Sequence, residues 1–68
     1  MRVLIPIKEP KVGMEVEVVK GNCCSMFKKG EGGIIIKLTG YYDFIVKDWA
    51  DQTCECCIQC CKEIKETC

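Results

Sequence analysis

Gly13-Met14-Glu15-Val16-Glu17-Val18 alternates apolar and acidic residues with a period of two, the pattern of a strand with one buried and one solvated face. Met14, Val16 and Val18 are expected to point inward. Working outward, Gly32-Gly33-Ile34-Ile35-Ile36-Lys37-Leu38 is a β-branched run following glycines. The run Tyr41 to Trp49 supplies another strand, joined to it by a tight turn at Thr39-Gly40. In the Ile34–Ile36 run, Ile34 or Ile36 is expected on the inner face. On the next strand, Tyr42, Phe44 and Val46 share one face and Tyr41, Asp43, Ile45 and Lys47 the other, which assigns Phe44 to the core and Tyr41 to the surface. Val3 to Ile7 makes a fourth strand, and Pro6, having no amide proton for a ladder, confines it to an edge.

After Trp49 the period changes. Cys54, Cys57, Cys61, Ile64 and Cys68 recur at three-then-four spacing, with Glu55, Gln59, Lys62, Glu63 and Glu66 between them. This spacing predicts an amphipathic cysteine-rich α-helix over residues 50–68, with Asp48 and Asp51 serving its orphan amides and the positive end of its dipole. The expected architecture is therefore mainly β: a small antiparallel barrel over residues 1–49 and a C-terminal helix over residues 50–68, both within one domain.

The run Val12 to Val18, then Gly21, then Phe27-Lys28-Lys29-Gly30-Glu31-Gly32-Gly33-Ile34-Ile35-Ile36, then Phe44-Ile45-Val46 resembles SH3-like barrels of the KOW type and small bacterial and phage proteins that share the pattern. Gly13, Phe27, Gly30 and Gly33 carry the resemblance, which covers residues 12–47. It implies a binding module, encoded by a phage or mobile element, whose partner is RNA, DNA or a protein segment. A shared fold does not choose among these.

The chain has 68 residues, eight cysteines, no histidine and a net charge of zero. A core of this size rarely supplies more than ~3–5 kcal/mol, so a staple or self-association would help it. A disulfide from Cys23 or Cys24 to the C-terminal cysteines would close a loop of about 30 residues and contribute roughly 3–4 kcal/mol by chain entropy. The N-terminal run Met1–Ile7, broken by Pro6, does not read as a signal peptide, and no apolar run is long enough for a membrane span. The expected setting is the cytoplasm, where thiols stay reduced.

Three readings of the cysteines stand side by side. Cys23, Cys24, Cys54 and Cys57 offer a four-thiolate set for zinc, in a metal-stabilised or thiol-responsive module. Thiol redox chemistry would use Cys54 or Cys57 near a helix N-terminus, although Asp48, Asp51 and Glu55 disfavour a thiolate there. Packing treats the stripe cysteines as small apolar residues and leaves Cys56 and Cys60 on another flank, exposed unless an interface covers them.

Catalysis has little to work with: no histidine base is present and Ser25 is the only serine. Gly30-Glu31-Gly32-Gly33 lacks the Lys-Ser/Thr of a phosphate loop. Neutral charge disfavours nucleic acid as partner. The expectation is thus a non-enzymatic, cofactor-free protein that occupies a surface of a protein partner and uses its helix for docking or homodimerisation. Its contact residues would come from Tyr41, Trp49, Lys28, Lys29, Ile58, Cys61 and Ile64.

Overall fold

The computed structural model describes residues 1–20 and 27–66. These form six strands: β1 (Arg2–Pro6), β2 (Glu15–Val18), β3 (Gly32–Leu38), β4 (Asp43–Asp48), β5 (Thr53–Cys57) and β6 (Cys61–Glu66). One antiparallel open sheet holds them in the order β1-β6-β2-β3-β4-β5. β2 to β5 form a meander, β6 returns to pair with the free side of β2, and β1 adds outside β6. The edge position expected for the Pro6 strand is the one it occupies.

The C-terminal helix is a correction. No helix occurs among the described residues, and the segment expected to form one supplies β5 and β6. Thr53-Cys54-Glu55-Cys56 has a period of two as well as the three-four spacing, and cysteine is a poor helix former. Tertiary pairing decides between them: Glu63 pairs with Ile5 on one side and Val16 on the other, so β6 satisfies the backbone of two strands at once. The helical stripe dissolves accordingly, and Cys56 and Cys60, expected on an exposed flank, are buried core residues.

The sheet must curl. β5 and β6 stand four positions apart in the strand order, about 19 Å in a flat sheet, yet Cys57 and Cys61 are separated by four Cα steps that span at most about 14 Å. The Cα radius of gyration of 10.7 Å matches that of a compact globule of this length. Val16, Val18, Phe27, Ile35, Phe44 and Val46 fill the inside together with Cys56, Cys60 and Cys61, and Ile7 adds to it from beyond β1.

Ile35 is the inward residue of the isoleucine run, with no exposed surface, whereas Ile34 is half-buried and Ile36 is 43% exposed. The expected facing of this strand is thus off by one. A bulge between Ile35 and Lys37 leaves Ile36 without a register partner, so the alternation is interrupted there. Gly33 packs so closely on β4 that a Cβ would collide with the Lys47 carbonyl, and Gly30 turns the chain with φ 95°.

Candidate functional site

The outer face of the sheet is built by register. Glu15 and Glu17 of β2 stand opposite Ile34 and Gly32 of β3, and Ile64 of β6 stands opposite Leu4 of β1. Across this face runs a cleft of about 340 Å³, bordered by Arg2, Glu15, Glu17, Glu31, Asp48 and Trp49, with Gly32, Gly33 and Ile64 also in its lining. The strands approach closely at both glycines, where a side chain would run into the neighbouring strand.

Trp49 forms the wall and is 73% exposed. The β4–β5 turn holds it outward. Asp48 Oδ1 accepts hydrogen bonds from the amides of Ala50 and Gln52, both at 2.9 Å, and Asp51 adopts a left-handed φ of 65°. Asp48 therefore binds orphan amides as the sequence suggests, but those of a hairpin turn rather than of a helix.

Four carboxylates border the cleft against one cation. Arg2 Nη2 lies 3.5 Å from Glu17 Oε1, and Glu31 Oε1 accepts a hydrogen bond from the Lys28 amide at 3.3 Å. The Glu15 carboxylate has no such partner among the described residues. The result is a negatively charged cleft with one aromatic wall, which suits a cation that stacks on the indole and accepts carboxylate hydrogen bonds.

Of the residues expected to contact a partner, this cleft gathers Trp49 and Ile64. Tyr41 is exposed in the β3–β4 connection beside Tyr42, ring centroids 6.4 Å apart, away from the cleft lining. Lys28 and Lys29 are exposed just before Gly30. Ile58 is half-buried in the β5–β6 turn, and Cys61, 1% exposed, belongs to the core and offers no contact surface. Glu15, Glu17, Glu31 and Asp48 were missed as a group. Their signal was the outward parity of Glu15 and Glu17, which shows charge facing water but not what stands beside it.

Of the four proposed zinc ligands, only Cys54 and Cys57 fall among the described residues. Cys23 and Cys24 lie outside them, Cys54 is disulfide-bonded, and no group of three metal-ligating side chains converges among the described residues. Cys60 is also disulfide-bonded, whereas Cys56, Cys57 and Cys61 are thiols. The Cys61 thiol is hydrogen-bonded to Cys56, which holds the Cys56 thiol below its ordinary value against opposing burial and the Glu55 charge. The same hydrogen bond, with burial and the neighbouring sulfur charges, pushes Cys61 far up.

No described helix is long and apolar enough to cross a membrane. No protein-family model, curated protein or solved structure matches the chain.

Proposed function

We propose that this protein is a small non-enzymatic binding module that takes a basic segment of a protein partner, an arginine or lysine side chain entering the cleft between Trp49 and the carboxylates of Glu15, Glu31 and Asp48. The observation that carries this reading is the chain's single tryptophan, exposed beside a cluster of carboxylates of which Glu15 has no counter-charge among the described residues. A cation stacked on an exposed indole gains roughly 0.5–1 kcal/mol, and about 2 kcal/mol when desolvated. Phosphate backbones would be repelled from the same cleft, which favours protein over nucleic acid as the partner.

The SH3-like reading of the fold belongs to the same proposal. It is supported by the left-handed φ of Gly13 and Gly30 and by the burial of Phe27, at three of the positions that carry the resemblance. The disulfide-bonded Cys54 and Cys60 fit an oxidising compartment better than the reducing cytoplasm expected from sequence.

Trp49 is its own reporter. Titration of the oxidised protein with an arginine-rich peptide is expected to shift indole emission saturably, with weaker binding at higher salt and in Glu15→Gln. An acidic peptide of equal length is the control. An identical response to both peptides, or no response to the basic one, overturns the proposal.

A further inference from the structure

At the other end of β5 from Trp49 stands a second feature, which does not depend on the cleft. Cys57, Ile58, Gln59 and Cys60 form one turn, closed by a hydrogen bond from the Cys60 amide to the Cys57 carbonyl at 3.1 Å. Outside contacts hold the turn. The Ile58 amide donates to the Tyr42 carbonyl at 3.1 Å, and the Val19 amide donates to the Cys60 carbonyl at 2.7 Å. Within it a thiol faces a disulfide: the Cys57 S–H donates to the Cys60 sulfur across 3.7 Å, and Cys60 is disulfide-bonded.

We propose that Cys57 is the exchange thiol of this disulfide, converting the existing bond of Cys60 into a Cys57–Cys60 bond within the turn. The Cys57 thiolate attacks Cys60 Sγ and its electron pair becomes the new S–S bond. The electron pair of the old S–S bond leaves with the cysteine to which Cys60 had been joined. That sulfur takes up a proton, and the proton of Cys57 goes to water. One disulfide is present before and after, so the step needs neither oxidant nor reductant.

Geometry favours this pair over the other thiols. A four-residue turn brings its end Cα atoms within about 7 Å, and a disulfide spans about 4.4–6.8 Å between Cα atoms. Cys57 is half-buried and lines a surface cleft with Tyr42, Asp43, Ile58 and Gln59, which gives water access to accept its proton. Cys56 and Cys61 are 2% and 1% exposed and hydrogen-bonded to each other, so they are withheld from solvent. The consequence is a staple with two settings. In one, Cys60 ties the turn to another cysteine of the chain; in the other, the bond closes only the four residues of the turn, and the longer-range restraint is released.

Peptide mapping of the native oxidised chain tests the step. The protein is held at about pH 6 or about pH 8, quenched in acid, alkylated under denaturing acidic conditions, and cleaved after glutamate. The exchanged form releases peptide 56–63 with an internal Cys57–Cys60 link and alkyl groups on Cys56 and Cys61. In the unexchanged form this peptide is cross-linked through Cys60 and alkylated on Cys57. The internally linked peptide is expected to accumulate roughly tens of times faster at about pH 8 than at about pH 6, because the thiolate is the nucleophile, and to be absent in Cys57→Ser. An unchanged cross-link after hours at about pH 8 overturns the proposal. So does an internal link that forms only when urea is added, since the native turn would then not be the route.

Discussion

Ile34, Ile35 and Ile36 allow three chemically identical substitutions that differ only in where the side chain points. Ile35 has no exposed surface and pairs with Val46, so Ile35→Ala removes buried methylenes from the centre of the core. Truncations of this kind cost about 2–5 kcal/mol. Ile36 is 43% exposed and sits on the bulge, and its truncation is expected to cost less than about 1 kcal/mol. Ile34, half-buried on the outer face, should fall between them. With a urea slope of about 1 kcal/mol/M for a domain of this size, Ile35→Ala should lower the midpoint by about 2 M or more, and Ile36→Ala by less than about 1 M. If Ile35→Ala is too unstable to titrate, Ile35→Val should cost about 0.5–1.5 kcal/mol and still exceed Ile36→Val. Losses that are equal for Ile35 and Ile36, or larger at Ile36, would refute the facing of β3 and with it the placement of the bulge.

Gly33→Ala should destabilise more than Gly30→Ala. The first drives a Cβ into the Lys47 carbonyl of a paired strand, whereas the second meets open space and bears only the left-handed backbone cost of about 1–2 kcal/mol; urea midpoints compare them. Trp49→Ala should weaken binding of an arginine-rich peptide about three- to thirtyfold, measured by calorimetry, without lowering the melting temperature, since Trp49 is exposed. In native oxidised protein Cys57 should be alkylated well before Cys56 and Cys61, as read by mass spectrometry. The Cys61 thiol is raised from an ordinary value of 9.0, so the unfolded chain ionises first and holds fewer protons. Its contribution to stability is fully present below about pH 8.5 and declines above it. Cys56, lowered, works in the opposite sense and gains as pH rises towards the ordinary thiol value. Denaturation midpoints of the parent should therefore fall as pH rises above about 9.

β1 to β4 were legible because each carries a local signal: alternation at Glu15–Val18, β-branched residues after glycines at Gly32–Leu38, and Pro6 for an edge. The facing of β3 was not, because three consecutive isoleucines carry no period and the bulge adds a residue that alternation cannot count. β5 and β6 were hidden for a different reason. Their turn, Cys57-Ile58-Gln59-Cys60, contains no glycine, proline, asparagine or aspartate to announce it. Long-range backbone hydrogen bonds to Tyr42 and Val19 hold it instead, and these have no local trace in the sequence. Trp49 and Ile64 were recognisable as candidate contact residues by their chemistry. Their neighbours Glu15, Glu31 and Asp48 come together through the registers of β2 on β3 and of β3 on β4, which no local pattern fixes, and Ile64 and Arg2 join them only once β6 and β1 lie beside β2.

Both the cleft and the exchange turn depend on residues 61–66 running as a strand between β1 and β2. Backbone nuclear Overhauser effects in the oxidised protein test this most directly. The account predicts cross-strand contacts from Ile64 to Leu4, and from Glu63 to both Ile5 and Val16. Contacts three and four residues apart along residues 57–66, with none to β1 or β2, would restore the helix and contradict it.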